Sequence, residues 1–316
     1  MQILRLVIER VLLSLLTLLI VSLIIFSMLE ILPGDVATRI LGRDATPETL
    51  AVLRARLHLD TPALLRYVQW LGNLVTGHLG HSLVSDRLIT TILAPRILNT
   101  VLLSIYAFIL YIPLTAIPAM IQAVRRDGAI DHGFSVITLV LLSMPDFLLG
   151  TILLILFVIM VPILPAMSLV DETSGVGEYM RCMTLPAVTL AIVMAVYAVR
   201  MLRDNLIEVL DSDYVRMAEL KGLSARRVLL RHALPNALVP TLNVTALNLA
   251  YLVGGVVVVE KIFGYPGFGS LLVDALQLRD LPLIEATIMI AAAVYIAANL
   301  LADVGAILLN PRLKQG

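Results

Sequence analysis

Long stretches without a charged side chain are the feature that most limits what this sequence can become. No Asp, Glu, Lys or Arg occurs between Arg10 and Glu30, between Arg96 and Arg125, between Arg181 and Arg200, or between Arg231 and Glu260. A fifth apolar stretch runs from Ala286 to Ala302, and a sixth, from about Phe134 to Met160, is interrupted once by Asp146. A helix rises about 1.5 Å per residue and a bilayer's hydrocarbon core is about 30 Å thick, so roughly 17–25 apolar residues make a crossing. With 59% hydrophobic and 15% charged residues and a mean hydropathy of +0.97, the chain reads as an integral membrane protein. The expected fold class is an all-α membrane protein with six transmembrane helices. The first stretch is too long for a signal-peptide core, and no small-x-small cleavage pattern follows before Pro33-Gly34-Asp35, so it reads as a retained anchor.

Six crossings put both termini on one side, and the basic residues choose the side. Arg5 and Arg10 precede the first span, Arg125 and Arg126 lie in the 2–3 loop, and Arg312 and Lys314 follow the last span. The 4–5 loop carries Arg200, Arg203, Arg216, Lys221, Arg226, Arg227 and Arg231, whereas the short opposite loops hold Arg181, then Lys261 and Arg279. Positive charge marks the cytoplasmic face, so both termini are expected there. The segment 32–96 is also arginine-bearing, but segments of this length translocate largely regardless of charge. Three parts follow: 1–31, the N-terminus and first span; 32–96, an external helical segment; and 97–316, a five-helix core with a cytoplasmic loop at 201–236. Inside the external segment, Thr46-Pro47-Glu48 reads as a helix start followed by Leu50, Leu53 and Leu57. Leu64 to Leu74 is a second amphipathic run holding the sole tryptophan, Trp70, for which an interfacial anchor and a core role are both open.

Several chemistries are excluded or disfavoured. Lys plus Arg and Asp plus Glu both total 23, so no excess charge points to nucleic acid. The single cysteine, Cys182, forms no intrachain disulfide and no CxxC site. His78-Leu-Gly-His81 has the spacing for two ligands, but two imidazoles without a third make a poor centre, so no metal is expected. No GxxxxGK[ST] phosphate cradle exists, so this chain does not hydrolyse ATP, and no catalytic residues are assigned.

The stretch from Asp213 to Asn236 is too polar to span and too patterned to be a tether. It reads as a helix ending at Gly222, where a left-handed residue suits the C′ position, then a second helix capped by the Ser224 side chain and ended by Pro235 near Leu234. Small Ala218 would let a partner surface approach closely, and Tyr214 and Leu223 offer apolar anchors. The element suits docking into a cleft.

Ala218, then Gly222, then His232-Ala-Leu-Pro-Asn236 resembles the docking loop of ATP-binding-cassette importer permeases. Leu32-Pro-Gly-Asp35, Trp70-Leu-Gly, Gly80-His-Ser82, Ser143-Met-Pro145, Glu260 to Gly269 and Asn310-Pro-Arg312 extend the likeness over nearly the whole chain. They are similar to the dipeptide, oligopeptide and nickel branch, in its subunit type with a long external segment. The resemblance implies a type I importer permease fold in a bacterial inner membrane, moving peptides or peptide-like solutes by alternating access. It further implies a second homologous permease, two ATPase subunits that hold ATP and Mg, and an extracytoplasmic substrate-binding protein, with no cofactor in this chain. The docking set it implies is Tyr214, Arg216, Ala218, Glu219, Lys221, Gly222 and Leu223. Arg216 occupies the motif's leading Glu position, and Glu219 sits where the branch often has a basic residue. Arg226, Arg227 and Arg231 fit either docking or simple charge asymmetry. A secondary transporter and a membrane-embedded enzyme are the alternative classes.

Polar residues inside the spans form a second candidate set. Asp146 at the centre of a lipid-facing helix would cost about 2.5–3.5 kcal/mol, so it is expected to face a partner or a watered cavity. Two readings stand: a pathway carboxylate that favours a cationic group such as a peptide amino terminus, or an interfacial or capping carboxylate beside Pro145. Asn243 and Asn248 join the pathway set, with hydrogen bonding between helices as their safer role. The segment Glu260 to Gly269 reads as a re-entrant or surface turn, and the resemblance places it near the translocation mouth.

Overall fold

A computed structural model describes residues 2–31, 46–56, 61–168, 175–254 and 256–309. Leu32 to Asp35, Asn310 to Arg312 and Lys314 therefore lie outside the described residues. The fold is helical, as expected, with an isolated bridge between His81 and Leu88 as the extended pairing among the described residues. The chain divides into two compact units, Met1–Ile97 with Leu271–Gly316, and Leu98–Ser270. In this division the last long helix groups with the first.

In the first unit, α1 (Gln2–Ile31) packs along the final helix α13 (Leu281–Leu309), and α2 (Pro47–Arg56) and α3 (Ala63–Val75) come between them in sequence. α3 rests on α1: the buried Ser22 hydroxyl meets the Tyr67 hydroxyl at 2.8 Å, and Phe26, Tyr67 and Trp70 form an aromatic cluster. Asp280, 1% exposed, accepts hydrogen bonds from the Ser82 hydroxyl and the Leu83 N–H, fixing the loop ahead of α4 (Ile89–Val124).

The second unit is organised around α7 (Val176–Leu210), whose Ala187, Leu190, Ala191, Ala198, Leu202 and Leu206 are fully buried. Against it pack α5 (Ala129–Leu142), α6 (Asp146–Leu154), α10 (Leu234–Gly254) and α11 (Val256–Ile262). Among the described residues, four helices are long and apolar enough to cross a membrane: Val7–Met28, Ile89–Val124, Val176–Leu210 and Leu281–Leu300. A bent pair makes a fifth if its two helices cross as one broken span. The remaining stretch, Arg231 to Glu260, is α10 followed by α11.

The bent pair differs from the single span read at Phe134 to Met160. Ala129–Leu142 and Asp146–Met160 meet at 109°. Pro145 is the cause: its ring removes an N–H and keeps the preceding residue out of the helical region, so α5 stops at Leu142 and a new helix starts at Asp146. Asp146 thereby sits in a helix first turn, where the dipole favours a carboxylate.

One ion pair ties α5 to α7. Arg203 Nε and Nη2 donate to the two oxygens of Asp131 at 2.7 and 2.5 Å, and the Asp127 N–H adds a third bond. Asp131 is 2% exposed, so the pair is shielded from competing water. Arg203 reads from sequence only as a marker of sidedness; the structure commits it to a partner. Arg203→Ala should strip a buried carboxylate of its counter-ion, a change that typically costs about 3–5 kcal/mol. Arg126→Ala, which breaks the exposed pair with Asp211, should cost about 0–1 kcal/mol. Thermal unfolding in mild detergent should rank Arg203→Ala well below Arg203→Lys, and Arg203→Lys below Arg126→Ala.

Candidate functional site

The loop between α7 and α10 begins with α8 (Asp213–Leu220). Gly222 adopts φ +78°, and its N–H and that of Leu223 return to the carbonyls of Glu219 and Ala218 at 2.8 and 3.3 Å, which closes the helix as its sequence predicts. The second helix departs from expectation twice. Ser224 stands at the N-cap position, but its side chain makes no capping bond; its carbonyl starts the turn instead. Nor does Pro235 end the helix. The short α9 (Ala225–Arg227) runs into a π-helical turn, Val228–Ala233, and continues directly as α10. A proline ring clashes with the carbonyl four residues back, here Arg231, and the wider π turn opens the helix there.

Ala218 also takes a different place. It is 8% exposed and packs with Val215 and Val228 in a small core completed by Val209, Leu210 and Leu223. Its small side chain lets α8 close onto its own loop, and Leu223 packs against the same core. The outward apolar groups are Tyr214, 43% exposed, Met217, 54%, and Leu220, 77%. Arg216, Glu219, Lys221 and Gly222 are exposed beside them. Met217 and Leu220 were missed in the sequence, although their three-residue spacing from Tyr214 carries the signal. Tyr214 is also held at its tip, donating to the His232 carbonyl at 3.3 Å and accepting from Asn236 Nδ2 at 3.0 Å.

The second set is gathered on α10. Asp146 is half-buried and accepts a hydrogen bond from the Tyr251 hydroxyl, a partner that sequence reasoning missed. One turn earlier, Asn248 Nδ2 donates to the Met194 carbonyl of α7 at 3.1 Å, the interhelical role read for it. Asn243 lies in α10, and its side chain falls outside the described residues. Asp146 thus meets the turn of α10 that follows Asn248, while Asn248 itself bonds α7. Tyr251 announces itself only as a hydroxylated aromatic in an apolar stretch, one turn after Asn248.

The segment Glu260 to Gly269 is no surface turn. Glu260, Phe263 and Tyr265 are at most 1% exposed. Glu260 accepts from the Thr100 hydroxyl at 2.6 Å and the Ser270 N–H at 2.8 Å, while Thr100 accepts from the Phe268 N–H at 2.7 Å. The Tyr265 hydroxyl donates to the Asn99 carbonyl at 2.7 Å, and burial pushes its ionisation well above the ordinary tyrosine range. A carboxylate this deep needs such donors, and the turn wraps around it because glycine lets the backbone close in: a Cβ at Gly267 would lie 1.9 Å from the Glu260 carboxylate. Among the described residues no third ligand gathers with His78 and His81, and His78 Nδ1 lies 3.0 Å from the Thr76 hydroxyl.

This arrangement offers contact surfaces and pairing between helices. Over residues 112–315 the chain matches the family described as the binding-protein-dependent transport system inner membrane component, and over residues 3–87 the N-terminal membrane component of such systems. It belongs to that family and is an inner-membrane transport component. It is 36% identical over 309 residues to a Brucella abortus (strain 2308) protein whose name assigns it to a peptide transport system as permease, covering 98% of each chain. It is 34% identical over 294 residues to a Sinorhizobium fredii protein named a probable peptide ABC transporter permease, covering 93% of this chain and 94% of that one. The glutathione transport system permease protein of Escherichia coli O6:H1 is 34% identical over 308 residues, 98% of each chain.

The Glu260 turn yields a paired test. Alanine at Gly269 places a Cβ 2.8 Å from the Val257 Cα, whereas alanine at Gly177 meets nothing within 4 Å. Overpacking of this kind costs about 1–3 kcal/mol. Gly269→Ala should melt at a clearly lower temperature than the parent, and Gly177→Ala at the same temperature or slightly higher.

Proposed function

We propose that the chain is the non-catalytic permease subunit of an ATP-driven importer for peptides or peptide-like solutes. The observation that carries this reading is the near end-to-end similarity to permeases named for peptide and glutathione transport. In this reading six spans cross a bacterial inner membrane with both termini in the cytoplasm. A second homologous permease lines the pathway, two ATPase subunits bind ATP and Mg below, and an extracytoplasmic binding protein delivers the solute. ATP-driven closure of the ATPases biases the bundle between inward-open and outward-open forms.

The docking element is Tyr214 to Leu223. Tyr214, Met217 and Leu220 present the apolar stripe, and Arg216, Glu219 and Lys221 flank it with charge. Ala218, Gly222 and Leu223 hold the element in shape. A non-glycine residue in the left-handed conformation costs about 1–2 kcal/mol, and 1.4 kcal/mol is tenfold in an equilibrium. Gly222→Val should therefore lower ATPase recovery on the tagged, membrane-inserted permease by about tenfold. Quantitative mass spectrometry of the purified complex reads this out. Undiminished ATPase recovery with the variant, or none with the parent, would remove the docking assignment.

Asp146 is proposed to line the pathway and to favour a solute with a cationic amine, with Tyr251 orienting the carboxylate. Asn243 and Asn248 belong to the same lining as amides that pair helices. Uptake by Asp146→Asn should fall several-fold more for a peptide with a free amino terminus than for its N-acetyl counterpart. Equal losses for both would leave Asp146 a structural role only.

A further inference from the structure

Helix α3 has three faces. Tyr67, Trp70 and Leu74 share one side: the Tyr67 and Trp70 rings lie 5.4 and 6.0 Å from the Phe26 ring of α1, and Trp70 and Leu74 line a small pocket with Pro282 and Glu285 of α13. Arg66, Gln69 and Asn73, three and four residues apart, form a polar side. A third stripe consists of Leu64, Val68 and Val75, which are 77%, 58% and 79% exposed. At 100° per residue, this stripe falls next to the anchoring face and well away from the polar one.

The depth at which α3 is attached decides what covers that stripe. Ser22 and Phe26, two of its contacts on α1, both fall inside the uncharged stretch between Arg10 and Glu30. Those nineteen residues are about 29 Å long, close to the hydrocarbon thickness of about 30 Å. Phe26 is four residues from Glu30, about 6 Å, and Ser22 eight residues, about 12 Å. α3 is therefore pinned where acyl chains meet headgroups, the level at which amphipathic helices lie with their apolar face about 5–10 Å deep. The neighbouring outer surface of α1 is itself apolar and open, with Leu23 52% and Ile24 50% exposed.

We propose that α3 lies flat in the membrane interface at the C-terminal end of α1, with Leu64, Val68 and Val75 buried among phospholipid acyl chains. Arg66, Gln69 and Asn73 face headgroups and water. The lipid-facing surface of α1 thus continues onto the segment that follows it. The inference depends on the chain's membrane location and not on the identity of its solute, so it stands or falls separately from the peptide reading.

The test uses single cysteines at Leu64, Val68, Val75, Gln69 and Asn73 in a Cys182→Ala chain, each nitroxide-labelled. The chain is assembled with its co-expressed partners and reconstituted in phosphatidylethanolamine–phosphatidylglycerol vesicles. All five positions lie on exposed or solvent-facing parts of α3, so labelling leaves its packing on α1 in place. Collision rates with oxygen, which concentrates in lipid, and with a neutral nickel chelate, which stays in water, are compared by electron paramagnetic resonance. The oxygen-to-nickel ratio is expected to be several-fold higher at 64, 68 and 75 than at 69 and 73. A high nickel rate at all five would place the stripe in water and overturn the proposal. Protection of 64, 68 and 75 from both reagents would also overturn it, by assigning the stripe to another protein surface.

Discussion

A polar group inside a bilayer has no water to fall back on, and the packing of this chain follows from that shortage. Thr189, Thr241 and Thr287 return their hydroxyls to carbonyls four residues back on their own helices. Other contacts reach across: the Tyr111 hydroxyl meets the Thr245 hydroxyl at 3.0 Å, Asn248 reaches Met194, and Tyr251 reaches Asp146. Among the described residues, Thr115 Oγ1 is buried without such a partner. Helix pairing in the second unit is thus specified by a few polar bridges set in otherwise interchangeable apolar surface.

The same constraint shapes the irregular backbone. Pro145 and Pro235 both remove a donor, yet with opposite results. At Pro145 the chain abandons the helix, turns sharply and begins again with a carboxylate in its first turn. At Pro235 it keeps the helix by widening the preceding turn, and Asn236 Nδ2 supplies a side-chain donor to the His232 carbonyl at 2.8 Å. The helix-compatible residues that precede Pro235 allow a π turn, whereas Ser143 and Met144 lead into a break.

Local patterns with a single physical solution were legible in the sequence. Apolar stretches of membrane length gave the helices, and a glycine after an amphipathic octet gave the left-handed cap at 222. What stayed hidden depended on partners distant in the chain. Nothing near Glu260 says that Thr100 will meet it, so a glycine-rich stretch read as either re-entrant or surface turns out to be interior. Ala218 is a subtler case: a small residue permits close approach, and its packing on Val228 across the turn could not be read from the spacing. The charge count that marks sidedness likewise could not say which arginine is spent on a buried aspartate.

The small core beneath α8 has a mechanical meaning. Val215 and Ala218 press on Val228 and, through Val209 and Leu210, on the last turn of α7, the helix at the centre of its unit. A few residues and a hydrogen-bonded glycine cap separate α8 from these supports, leaving little slack to absorb a load. If the exposed stripe is the docking surface proposed above, force applied there would pass through this core into the central helix of the unit as through a stiff joint. Softening that joint, with the stripe left untouched, would uncouple motion at the loop from motion in the bundle.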